Sequence, residues 1–140
     1  MSKLLFWALD ALVLRGPESR LAEGALAALD KLSVAGWRHV VVADEAAGAD
    51  TLDRLGVADR VAWFFDGAPV AEAIGALRPF DEAFVIGSNL PRHILPAREE
   101  ALPSILVGDA SPLAQFCAEQ ASDVPDALAT WTITRKNLLA

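Results

Sequence analysis

Leu4–Gly16, LLFWALDALVLRG, is an apolar run with a single carboxylate, Asp10, beyond its first six residues. A run this apolar and this short is expected to be a strand buried on both faces. Helices cover both sides of a parallel sheet, so its strands show no polar alternation. Asp10 then stands where the strand leaves the sheet, and in open parallel sheets that carboxyl end is where ligands bind.

Outward from this stretch the same unit recurs. Arg15-Gly16-Pro17-Glu18-Ser19 is expected to be a turn. Leu21, Ala25, Leu29 and Leu32 then follow helical spacing as far as Ala35-Gly36. HVVVA, His39–Ala43, is a second strand that His39 leads into, closed by Asp44-Glu45. Leu52 and Leu55 belong to a short helix that Gly56 stops. Arg60–Phe65 is a third strand, closed by Asp66-Gly67. Pro69 opens a helix carrying Val70, Ala73, Ile74 and Leu77 on one face.

AFVIG, Ala83–Gly87, is a fourth strand, closed by Ser88-Asn89, and Pro91 starts the helix after it. Ser104–Val107 is a fifth strand, closed by Gly108-Asp109. Ser111-Pro112 is an N-cap and first-turn pair for a helix with Leu113, Phe116, Cys117 and Gln120 on one face. Trp131–Thr134 reads as a short last strand and 135–140 as a tail. Strand and helix alternate with no linker, repeat or low-complexity segment. The expected fold is a three-layer, Rossmann-like α/β domain over residues 1–140, a central parallel sheet of about five strands with helices on both faces.

Composition agrees. The chain has 140 residues, of which 54 % are hydrophobic and 22 % charged, enough for one folded core. With 12 basic against 19 acidic residues the net charge is −7, which repels phosphate backbones and disfavours nucleic acid as a partner. The lone cysteine, Cys117, allows no intrachain disulfide and suits a reducing cytoplasm. Its apolar helical surroundings favour packing over catalysis. Lys3 followed by an apolar run is faintly like a signal peptide, but Asp10 interrupts it. The run is also too short to span a bilayer, so neither targeting nor membrane insertion is expected.

Every strand ends in a polar group: Asp10, Asp44, Asp66, Ser88-Asn89 and Asp109. Parallel order puts these ends on one side. One reading is that they cap helices and shape turns. The other is an acidic crevice for a cation. No glycine-rich phosphate loop and no nucleophile elbow occurs. His93, at the start of a helix, is a possible base there.

The order and spacing of these segments resemble the haloacid dehalogenase superfamily in its smallest, capless form. LLFWALDALVLRG is similar to the family's first motif, hydrophobic-D-x-D-G-T-hydrophobic. PESRLAEGALAALDKLSVAGWRHVVVAD, Pro17–Asp44, resembles its first helix and second strand, and Leu55-Gly56-Val57 through Phe64-Phe65-Asp66 its "LGL…yFD" passage. FVIGSNLPR, Phe84–Arg92, is similar to the last motif, V-G-D-S-x-x-D. VVVADE also resembles the first strand of a receiver domain, but too little chain follows for that fold.

The resemblance implies a nucleophilic aspartate, a second aspartate as acid and base, a Ser or Thr and a lysine on the phosphate, and acidic residues on Mg²⁺. Carried over, the nucleophile falls on Ala8 and the acid/base position on Asp10. The phosphate-binding hydroxyl falls on Ala43, and the nearest candidate for the lysine is Arg78. The metal positions fall on Ser88 and Arg92, so no metal site and no cofactor is expected. Arg92 could instead approach Asp10 and neutralise it.

The expectation is a non-catalytic binding or protein-interaction module. Crevice candidates are Asp10, Asp44, Ser88, Asn89 and Arg92. The alternative is a hydrolase of departed mechanism with Asp10 as acid/base. Trp63, Phe64 and Phe65, on a strand that the family's order puts at the sheet edge, are either covered by helices or form a surface for self-association or a protein partner.

Overall fold

The computed structural model describes residues 3–14, 20–108 and 110–139. β1 (Lys3–Ala8), β4 (Arg38–Ala43), β5 (Val61–Asp66), β6 (Glu82–Gly87), β7 (Ser104–Val107) and β8 (Phe116–Ala118) form one parallel sheet in the order β5-β4-β1-β6-β7-β8. β2 (Val13–Leu14) and β3 (Arg20–Leu21) pair separately as an antiparallel ribbon. The chain adds strands outward from β1 on one side, then returns to the other side through β6. The order therefore reverses beside β1, and a crevice opens at such a reversal.

β1 alternates its side chains between two cores. Leu5 and Trp7 join Val41, Phe84 and Ile86 under α2 (Ala25–Val34) and α6 (Val124–Leu139). Leu4 and Phe6 join Val40, Val42 and Val85 over α4 (Val70–Leu77) and α5 (Leu95–Glu99). Burying each such large side chain contributes about 1.5–3 kcal/mol. α3 (Thr51–Leu55) is stopped as expected by Gly56, which turns the chain at φ 76°.

Several expectations are corrected. The opening strand stops at Ala8, and Leu9–Leu12 coil into one helical turn, α1. Leu21 lies in β3, not in the first long helix. His39 lies inside β4 rather than ahead of it. The segment after Ser111 forms no helix but supplies the sixth sheet strand, β8, and Cys117 on it is exposed, with its Sγ against Ser111. Trp131–Thr134 is helical, part of α6, which continues to Leu139 where a tail was expected. The turn 15–19, Asp109 and Ala140 lie outside the described residues. Among the described residues no helix is long and apolar enough to cross a membrane.

Candidate functional site

Three strand ends build the crevice. β1 closes on Ala8, 1 % exposed, and α1 then brings Asp10 out to the surface. β4 closes on Ala43 and is followed by Asp44 and Glu45. β6 closes on Gly87, after which Ser88-Asn89 lead into a wide π-type turn, Leu90–Ile94. Asp10, Asp44, Glu45, Arg92 and His93 line a cavity of about 120 Å³ between them. A second cavity of about 210 Å³, lined by Val13, Ala47, Thr51 and Arg54 among others, shares Leu9 and Asp10 with the first.

The turn after β6 is organised around His93, which is 1 % exposed. The backbone N–H groups of Ser88 and Asn89 both donate to His93 Nδ1, at 3.1 Å each. Nδ1 must therefore carry a lone pair, which leaves the proton on Nε2. Nε2–H donates to Asp44 Oδ2 at 2.8 Å. With one nitrogen accepting and the other donating, the ring has no free lone pair, so the reading of His93 as a base does not hold in this geometry. Gly87 makes the arrangement possible, because a Cβ there would collide with the Cβ and ring of His93.

Asn89 Oδ1 accepts from Arg92 N at 2.9 Å, so this side chain shapes the turn. Ser88 Oγ is buried and has no hydrogen-bond partner among the described residues. Arg92, with a side chain 55 % exposed, lies 3.9 Å from Glu45 Oε1. Its carboxylate partner is thus Glu45 and not the expected Asp10, although Asp10 lines the same cavity. An exposed pair this loose stabilises by at most about 1 kcal/mol.

The other strand-end groups divide. Asp66 accepts from Ala47 N at 2.7 Å and Gly48 N at 3.2 Å, so it fixes the loop after β4. Asp44 does no such capping and holds His93. Arg78 lies away from the crevice, pairing with Glu100 Oε2 at 3.1 Å. Trp63, Phe64 and Phe65 are half-buried on β5, an edge strand of the sheet, as the strand order implied. Their rings reach both cores, and the Arg38 guanidinium sits 4.6 Å from the centre of the Trp63 ring.

The His93–Asp44 contact escaped the sequence reading. Its available signal was topological: β4 and β6 flank β1, so their following loops meet at one place. Mg²⁺ favours oxygen ligands with carboxylates among them. Here Asp44 is engaged by His93 and Arg92 adds a positive charge. Among the described residues no group of three or more His, Cys, Asp or Glu is placed to hold a metal ion. The residues present do not fit that ion.

No protein-family model matches the chain, and no curated protein sequence matches it. Solved structures do. An uncharacterised protein from Listeria monocytogenes serotype 4b superposes with TM-score 0.74 at 16 % identity, covering 93 % of this chain and 98 % of that one. D,D-heptose 1,7-bisphosphate phosphatase from B. bronchiseptica gives TM-score 0.70 at 15 % identity, covering 91 % and 98 %. 2-Haloacid dehalogenase from Pseudomonas syringae pv. tomato DC3000 gives 0.67 at 21 % identity over 81 % of this chain, which spans 55 % of the dehalogenase. Likeness at such identities speaks for architecture, and the architecture of this chain is the haloacid dehalogenase-like fold.

Proposed function

We propose that this chain is a haloacid dehalogenase-like domain that does not transfer phosphoryl groups and serves as a binding or protein-interaction module. The observation that carries the reading is Ala8. It closes β1 at the position where the motif likeness sets the attacking aspartate, and it is 1 % exposed. A methyl group has no electron pair to offer phosphorus, so the covalent route is closed at that position.

The neighbouring groups support the same reading. Ser88 and Arg92 stand where the likeness sets the metal carboxylates, and His93 is committed to Asp44 and to two backbone amides. The half-buried aromatics of β5 offer an anchor for a protein partner or a second copy, since Trp and Phe are favoured at such contacts.

A second reading keeps Asp10 as the acid/base group of a hydrolase with a departed mechanism. It draws on Asp10 being exposed and shared by both cavities. One assay separates the two. Purified protein is incubated with p-nitrophenyl phosphate and Mg²⁺ beside Asp10→Asn. The non-catalytic reading expects both proteins to match the blank. Turnover that disappears in Asp10→Asn would replace it with the hydrolase.

A further inference from the structure

The opposite edge of the sheet, where the strands begin, carries another cavity. It measures about 270 Å³ and is walled by Lys3, Lys31, Leu32, Trp37, Pro125 and Leu128 among others. Lys3 starts β1, Trp37 precedes β4, and α2 and α6 supply the rest. Two of the chain's three lysines meet here, in a protein of net charge −7, and no carboxylate lines the cavity.

The two ammonium groups are not spent. Lys3 Nζ donates to Ala35 O at 3.2 Å and lies 4.5 Å from the centre of the Trp37 ring, which leaves it two further N–H groups. Lys31 is exposed and makes no ion pair or side-chain hydrogen bond among the described residues. Beneath them the wall is apolar: Leu32, Trp37 and Leu128 are buried in the core at its base.

We propose that this cavity binds an amphipathic monocarboxylate. The carboxylate sits between Lys3 and Lys31, and the hydrocarbon lies against Leu32, Trp37 and Leu128. Charge-assisted contacts orient such a ligand while apolar area supplies the affinity. A bare inorganic anion would leave the apolar wall unused, and a neutral alkane derivative would leave the lysines unused. The site lies away from Asp10 and does not depend on what the crevice does.

The test is an NMR titration with octanoate, octanol and inorganic phosphate, each alone. The readout is the Trp37 indole N–H signal, assigned by its loss in Trp37→Phe. Octanoate is expected to shift that signal saturably and leave the Trp7 indole in place. Lys31→Gln, at an exposed position, weakens octanoate about threefold, and Lys3→Gln/Lys31→Gln about tenfold or more. Asp10→Asn leaves the affinity unchanged. No saturable shift with octanoate overturns the proposal. So does equal binding of octanol or of phosphate, or a double variant that is folded by its remaining spectrum and binds octanoate as the parent does.

Discussion

Trp7 Nε1–H donates to His39 Nδ1 at 3.0 Å, and His39 Nε2 meets Leu29 O at 2.9 Å. The ring is 1 % exposed and ties β4 to α2 and β1. Only the neutral ring fits, because a proton on Nδ1 would face the indole N–H. Burial pushes the His39 pKa below its ordinary 6.5, against the smaller opposing pulls of the Leu29 carbonyl and Asp30. With the folded value depressed, the unfolded chain takes up the proton first as pH falls. The stability from this ring is therefore complete above a pH of about 6.5 and declines below it, toward the folded pKa. The urea midpoint should drop between pH of about 7.5 and 5.5, and drop less in His39→Gln, with His93 common to both proteins. Equal drops would remove His39 as the source. At Gly87 the matching expectation is steric. Gly87→Ala forces His93 off its two amides and Asp44, costing about 1–3 kcal/mol in denaturant titration; an unchanged midpoint would contradict the geometry. The sequence displayed Asp44, Gly87 and His93 separately. It carried no sign that they meet, because the contact depends on a π-type turn that no residue pattern announces.

The long, regular elements were legible and the short ones were not. Beyond their first residues β1, β4 and β6 are buried runs of mainly aliphatic and aromatic side chains, and their composition alone marks them. The run Leu4–Leu14 hid the break at Leu9, because α1 is as apolar as the strand before it. Leu113, Phe116, Cys117 and Gln120 match helical spacing, yet Phe116–Ala118 pairs with β7; three residues are too few to display alternation. Trp131–Thr134 has strand-forming side chains, and packing overrides that preference by continuing the helix that buries Val124 and Leu128. β5 pairs with β4 on one side, and no strand among the described residues pairs with its other side, which carries no proline or lysine; such an edge invites association. If it is the partner surface, the protein self-associates with rising concentration. Ala62→Lys, at an exposed position on that edge, then returns it to monomer without loss of folding. Size-exclusion chromatography with light scattering decides this, and a parent that stays monomeric at high concentration removes self-association through β5.

At the scale of the molecule, the order of strands says where a ligand would sit and says nothing of what happens to it. The haloacid dehalogenase-like fold places three loops around one crevice, and the chemistry depends on a handful of atoms in them. On the proposed reading, the position where the motif likeness sets the attacking aspartate, at the end of β1, is Ala8. On the same reading the metal-ligand positions fall on Ser88 and Arg92, and the turn that carries them also holds a histidine hydrogen-bonded on both nitrogens. Those positions were legible in the sequence, because each falls at a fixed distance from a strand that composition marks. What they leave room for was not visible, since cavity shape comes from how α1 and the loop after β4 pack. The decisive measurement is the intact mass of the protein after incubation with acetyl phosphate and Mg²⁺. If Ala8 stands at the attacking position, as proposed, the expected result is the unmodified mass; a phosphoryl adduct on any crevice carboxylate would contradict it.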